Sequence, residues 1–542
     1  MKRFYLLLFG VVLLAFILRF YKLGSLPPSL TWDEAAWGYN SYAIGGDLKD
    51  EFGRLLPFTY IESFGDYKPP LYAYASILPV KIFGLTEFST RFASAFFGVA
   101  TVLITFFLVL QIFGKEEKNL ALLSSLLLAI SPWHIMLSRA AFEANVSTFF
   151  IVLGVWLFLF STRKALLFPL SLLSFLASMY TFNSARIVVP LLVIFLTVLL
   201  WRKLWENKKV VITSCLVAAL FYLPLFLFLQ TPQAKLRFAE VNIFSDSAVV
   251  TKANDQIAND NNASWSKIIH NRRLAYGVSY LHHYFDNLTP NFLFFQGDGN
   301  PKFSTQDVGE LYLWEIPFLV GGALLLFRRK EKNKWIIPVW LLIGIVPAAF
   351  ARETPHALRI EATLPTFQII TALGVMVFFR FVARTKIKPF LSKSIVGIFI
   401  IFVFLNFSYF LHGYLKHYST EFSGEWQFGY KESIAYVSSV KENYKTIYVT
   451  EEFGRPYIYY LFYTQYPPAE FRKNADVFRE VYGFVHILGY DNFRFVKDFK
   501  DVYKDRERTM FVSSPNGIPE GATTLKSFYL LNGKEVLRAY TL

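Results

Sequence analysis

Cysteine is almost missing from this chain: one residue, Cys215, among 542, set inside an apolar run. A lone cysteine excludes an intramolecular disulfide and any cysteine-based metal cluster. Histidine is scarce as well, with eight residues and no His-x-x-x-His spacing to suggest a metal pair. Acidic residues are outnumbered 40 to 55, for a formal charge of +15. The basic excess collects in short loops between apolar runs, the pattern of a topology signal and of attraction to anionic lipid. Nucleic acid is therefore not an expected partner.

What the chain has in abundance is apolar surface. It is 54% hydrophobic and 19% aromatic, with 59 phenylalanines, and its mean hydropathy is +0.37. That excludes a soluble enzyme of this size and points to a polytopic α-helical membrane protein. Eleven apolar stretches, near 4–20, 92–113, 119–137, 146–161, 165–182, 187–201, 209–230, 311–327, 335–350, 362–383 and 393–413, predict about eleven transmembrane helices. Lys2 and Arg3 precede the first, but no small-x-small cleavage site follows it, so it is read as a retained span. The stretch "LYAYASILPVKIFG" (71–84) has an internal proline and Lys81. It is short for a span and reads as interfacial.

The positive-inside rule arbitrates the topology. With 71–84 lying on the membrane, "KEEK" (115–118), "STRK" (161–164), "WRKLWENKK" (201–209), "RRKEKNK" (328–334) and "RTKIK" (384–388) all share the amino terminus's side. A first loop at 21–91 and a large loop at 231–310 then lie outside, the latter with an Asn/Asp-rich segment, "ANDQIANDNNAS" (253–264), expected to be flexible. Residues 416–542 are more polar. Strand-like "KTIYVTEE" (445–452) and "RTMFVSS" (508–514), with helix-like "GYKESIAYVSSVKEN" (429–443), predict a small extracytoplasmic α/β domain after a membrane module at 1–415.

On that topology the unusual polar residues share one face. Asp33 and Glu34 follow the first span, Lys68 lies in "DYKPPLY", and Arg91 in "TEFSTRFAS". Arg139 and Glu143 lie in "SRAAFEAN", Arg186 in "FNSARIVVP", and His356 and Arg359 in "RETPHALRI". Paired carboxylates facing several cations suit a reaction with a phosphate in it: one base to take a hydroxyl proton, and cations to hold the departing phosphate. Each residue also has a plainer reading. The acids can cap a helix, Lys68 can snorkel, Arg139 and Glu143 can pair along a helix, Arg186 and Arg359 can bind headgroups, and His356 can be structural. Trp37 and Trp32, aromatic faces beside a carboxylate, suit either sugar stacking or an interfacial belt.

These motifs resemble the GT-C superfamily of polyprenyl-phosphate-dependent glycosyltransferases, in the branch of the protein O-mannosyltransferases and lipid A aminoarabinose transferases. The resemblance rests on "WDEAAWGYNS" (32–41), "KPPLY" (68–72), "FSTRFASAFFG" (88–98) and "SPWHIMLSR" (131–139). It implies a GT-C fold with interfacial helices in the first outer loop, in the plasma (inner) membrane, its active site and terminal domain extracytoplasmic. The implied activity is inverting transfer of a sugar from a polyprenyl-phosphate donor to a protein, lipid or glycan hydroxyl. By that resemblance Asp33 is the base or acceptor-orienting residue, Glu34 its partner and Lys68 the phosphate-contacting lysine. Arg139, Arg186 and Arg359 are further donor contacts. No cofactor is called for with certainty, but a divalent metal held by Asp33, Glu34 and His356 fits what some relatives have. The rival reading is a transporter or flippase of lipid-linked sugars. Such proteins place charges near the bilayer midplane and show repeats, and neither feature is visible in this sequence.

Overall fold

The computed structural model describes residues 2–384, 388–480 and 483–542, so Thr385–Ile387 of the expected basic loop at 384–388 lie outside the described residues. All eleven apolar stretches are helical. Among the described residues, six of these helices are long and apolar enough to cross a membrane. A seventh candidate is broken: Lys118–Ile130 and Pro132–Arg139 meet at 56°. Phe4–Phe20, Leu71–Phe83 and Ala165–Met179 are shorter apolar helices, and Glu315–Arg328 and Ile336–Ala349 are shorter still than a typical span. Multi-pass membrane character is therefore plain. By contacts the chain forms two compact units.

One unit comprises residues 1–19, 96–138 and 143–411. Its helices approach closely where side chains are smallest. A Cβ at Gly322 would lie 1.9 Å from the carbonyl oxygen of Ile370, and one at Gly374 would lie 2.1 Å from that of Phe318. Glycine therefore permits the contact between Glu315–Arg328 and Thr366–Arg384. The broken helix stops at Ser131 because Pro132 has no N–H to continue the ladder. Buried Arg19 takes up the carbonyls left at that break, donating to Ala129 at 3.1 Å and Leu128 at 3.3 Å. The Asn/Asp-rich segment expected to be flexible is instead largely helical, Ser247–Asn259, with Asp246 accepting from the Ala248 N–H at 2.9 Å as its cap.

The other unit comprises residues 20–95, 139–142 and 412–542. It starts with the helix Trp32–Asp47, a two-stranded hairpin of β1 (Ile61–Ser63) and β2 (Asp66–Lys68), and the helix Leu71–Phe83. After the helix Tyr430–Val440 come β3 (Thr446–Thr450), β4 (Asp476–Arg479), β5 (Val485–Tyr490), β6 (Phe493–Val496), β7 (Thr509–Ser513), β8 (Thr523–Tyr529) and β9 (Glu535–Thr541). They form one sheet in the order β4-β5-β6-β3-β7-β9-β8, with β3 parallel to both β6 and β7. The sheet and the early helix share a core: Leu30, Ala36, Tyr39 and Phe64 pack with Ile447, Tyr459, Leu461 and Val485. This grouping crosses the boundary drawn at 415 from composition, because several apolar side chains between 30 and 85 are buried in one cluster with those of the terminal sheet.

Candidate active site

The helix Trp32–Asp47 begins with a capping box: the Thr31 side chain accepts from the Glu34 N–H at 3.3 Å, and Glu34 accepts from the Thr31 N–H at 3.0 Å. That box sends the two adjacent acids in different directions. The Glu34 carboxylate is fully buried. Arg91 donates to it through Nε at 2.8 Å and Nη2 at 3.1 Å, and the Ala141 N–H at 2.8 Å. Arg91, also fully buried, donates as well to the carbonyls of Leu23 (3.3 Å), Pro27 (2.8 Å) and Ser29, and its guanidinium lies 5.6 Å from the Trp426 ring centre. Glu34 and Arg91 thus clamp the segment that leads into the helix. Both oxygens of Glu34, expected as the partner of Asp33 in the reaction, are taken up by protein donors.

Asp33 is the opposite case. Its side chain is 51% exposed and accepts a hydrogen bond from the Lys68 ammonium, whose side chain is 11% exposed. Lys68 is the last residue of β2, and its Nζ sits 5.5 Å from the Trp37 ring centre and 5.4 Å from that of Phe64. The hairpin turn brings Phe64 there: Phe64 and Gly65 both adopt positive φ, 60° and 84°, as a two-residue turn demands. Trp37 is buried against Tyr72, ring centres 5.4 Å apart, and it presents no open face for a sugar. Trp32 is the more accessible ring. It packs on Gly454, where a Cβ would lie 2.5 Å from the indole.

Arg139, expected at the donor phosphate, is buried. It donates to the carbonyls of Tyr21 (2.7 Å) and Leu26 (3.0 Å), in the segment that Arg91 also bonds, and to the Tyr414 hydroxyl (3.3 Å). Arg139 closes one helix and Glu143 opens the next. Arg186 donates to the Met179 carbonyl at 3.3 Å and lies over Phe228. Arg359 donates to the Glu353 carbonyl at 2.9 Å. His356 has its Nδ1 3.7 Å from Asp298, and burial, with Arg359 beside it, pushes the imidazole down to about 3. Nearby, burial pushes Asp298 up to about 6 and holds Glu310 and Glu361 well above the carboxylate range. Among the described residues no three His, Cys, Asp or Glu side chains come together to hold a metal ion. Both Glu34 oxygens are already bonded to protein donors.

Several residues here carry no local sequence signal. Arg455 lies over the Phe64 ring at 5.6 Å, so it and Lys68 share one aromatic support. The Tyr459 hydroxyl donates to the Leu30 carbonyl at 3.1 Å, and that of Tyr39 to the Tyr466 carbonyl at 2.9 Å. Glu51 is buried, with Tyr457 donating to it at 2.7 Å and Asn40 at 3.1 Å. Burial pushes its carboxyl up to about 8 despite those bonds.

Residues 10–241 match the family model for dolichyl-phosphate-mannose-protein mannosyltransferases. Two uncharacterized proteins of Aquifex aeolicus are each 34% identical, over 204 and 154 residues. Those alignments span 38% and 34% of the relatives' lengths, and 37% and 28% of this chain. Among solved structures, ArnT from Cupriavidus metallidurans in the apo state superposes with a TM-score of 0.54 at 12% identity, covering 99% of this chain and 98% of its own. ArnT bound to undecaprenyl phosphate gives 0.52 at 12% identity, over 98% and 97%. The Archaeoglobus fulgidus oligosaccharyltransferase in the apo form gives 0.51 at 14% identity, over 85% of this chain and 63% of that one. The chain thus shares the fold of ArnT and of the Archaeoglobus fulgidus oligosaccharyltransferase, and its amino-terminal part is similar in sequence to the dolichyl-phosphate-mannose-protein mannosyltransferase family.

Proposed function

We propose that this protein is an inverting glycosyltransferase. It moves a sugar from a polyprenyl-phosphate carrier to an acceptor hydroxyl on the extracytoplasmic side of the plasma membrane. The observation that carries the reading is the half-exposed Asp33 held by Lys68 at the start of a clamped helix. Asp33 accepts the proton of the acceptor hydroxyl as that oxygen bonds to the anomeric carbon. The carbon–oxygen bond to the phosphate breaks on the opposite face, and the phosphate leaves with the electron pair. Lys68, bonded to Asp33, balances the charge that grows on the phosphate. Arg455 is a further cation on the same support, and Arg186 and Arg359 remain candidates for donor contact. Glu34, Arg91 and Arg139 hold the frame. No step is assigned to a divalent cation. The ArnT structure with undecaprenyl phosphate supports a carrier of that class for this chain too.

The test uses the full chain in nanodiscs, with the lipid that co-purifies identified by mass spectrometry and supplied as donor. Asp33→Asn should lower transfer by about 10²–10⁴-fold while undecaprenyl phosphate still binds. Full activity in that variant would remove Asp33 from the chemistry.

A further inference from the structure

The loop at 231–310 contains a helix with two unlike faces, Arg272–Asp286. On one face Tyr276 donates to the Phe244 carbonyl at 3.0 Å, Tyr280 packs on Phe350 with ring centres 4.8 Å apart, and Tyr284 donates to the Leu342 carbonyl at 2.8 Å. His283 contacts the Ala351 carbonyl at 2.8 Å. The helix therefore packs along Ile336–Ala349 and the residues just after it. On the other face, Leu274, Val278, Leu281 and Phe285 recur at i, i+4, i+7 and i+11, and each is more than half exposed. The short preceding helix, Ser264–Ile269, adds Trp265, Ile268 and Ile269, also more than half exposed.

An apolar stripe of this length on a polar loop needs a cover, and its flanks say which. Lys267, Arg272 and Arg273 are exposed beside it, and residues 261–285 contain neither Asp nor Glu. An apolar stripe with exposed cations at its start, its nearest acids lying at the two ends (Asp260 against His270 at 3.6 Å and Asp286 accepting from Thr354 at 2.8 Å), is the pattern of a helix lying in a membrane interface with its cations among anionic headgroups. The helix is also packed on one of the chain's own apolar helices, Ile336–Ala349, so a bilayer around that helix is within reach of the stripe.

We infer that residues 264–286 form a membrane-inserted anchor of the large loop, with Leu274, Val278, Leu281 and Phe285 in the acyl region and Lys267, Arg272 and Arg273 bound to anionic headgroups. The inference is independent of the catalytic reading, because it depends only on this face and on the multi-pass character of the chain.

Site-directed spin labelling tests it on the full chain in phosphatidylethanolamine–phosphatidylglycerol vesicles, in a Cys215→Ser background. Labels at Leu274→Cys, Val278→Cys, Leu281→Cys and Phe285→Cys should collide several-fold more often with oxygen than with a water-soluble nickel chelate. A label at the polar control Asn261→Cys should show the reverse. Combining Lys267→Gln, Arg272→Gln and Arg273→Gln should make the depth of the Val278 label insensitive to phosphatidylglycerol content. Ready access of the nickel chelate at 274–285 would overturn the inference. So would protection from both reagents with disulfide cross-linking between copies through Val278→Cys, which would instead mean a self-association face.

Discussion

Asp33 and Glu34 are neighbours in the chain, each paired with one cation, yet their surroundings differ in every respect that matters. The Asp33–Lys68 pair opens to solvent on the carboxylate side. Such a pair adds about 0–1 kcal/mol to stability, and its acid keeps lone pairs for a substrate. The Glu34–Arg91 pair is sealed, and every oxygen and most donors find protein partners. Breaking a pair of that kind costs about 3–5 kcal/mol, because the remaining charge is stranded without water. The lesson is that two adjacent acids beside a membrane can divide the work, one fixing the backbone so that the other stands where chemistry needs it.

The largest effect should come from the sealed pair. Glu34→Ala leaves Arg91 uncompensated, and a loss of about 3–5 kcal/mol is a large part of an ordinary stability of about 5–15 kcal/mol. Thermal denaturation in detergent should show a much lower transition, or no folded protein at all. A wild-type melting curve for this variant would break the contrast at its root.

A third carboxylate sharpens the comparison, since Glu51 is buried with two neutral groups, Tyr457 and Asn40, donating to it. Its folded-state pKa of about 8 lies above the unfolded value, so the folded state holds the extra proton. The stabilisation is complete below the unfolded pKa of about 4.3 and is lost as pH rises through about 8. Stability of the native chain should thus fall by roughly 1 kcal/mol per pH unit across that window, and Glu51→Gln should flatten the slope. An unchanged slope would mean that Glu51 is ionised in the fold.

On the open side, Lys68→Ala should weaken undecaprenyl phosphate binding by about 10–100-fold, the worth of one charged hydrogen bond, with little change in melting temperature. Isothermal titration in nanodiscs reads it, and undiminished binding would take Lys68 off the phosphate. Arg455→Ala should act in the same direction and less strongly, about tenfold or under. A drop in melting temperature with no change in binding would make Arg455 a packing residue of the Phe64 support.

Much of the membrane part was legible because apolar runs are local, and a bilayer demands long ones. The strands at 446–450 and 509–513 and the helix at 430–440 followed equally from local pattern. The break at Ser131–Pro132 was not seen in the sequence, since both halves are apolar and a proline can also sit inside a membrane helix. The candidate site divides in the same way. The Asp33–Glu34 doublet and Lys68 stand out locally, and their types suit a phosphate reaction. That Glu34 would be consumed by Arg91, 57 residues away, and Arg139 by the carbonyls of Tyr21 and Leu26, depends on tertiary partners that no spacing encodes. Trp37 shows a related limit: an aromatic beside an acid can face a substrate or the core, and only burial decides. Arg455 and Trp426 lie hundreds of residues from the doublet, with no motif around them.

The most direct test sets Asp33→Asn beside Glu34→Gln in one preparation, with sugar transfer and thermal stability measured on both. The account predicts that Asp33→Asn melts within about 1 kcal/mol of the native chain while transfer falls by about 10²–10⁴-fold, and that whatever folded Glu34→Gln survives is destabilised yet still turns over. Full transfer by folded Asp33→Asn, or a fully stable Glu34→Gln that has lost all transfer, would contradict it.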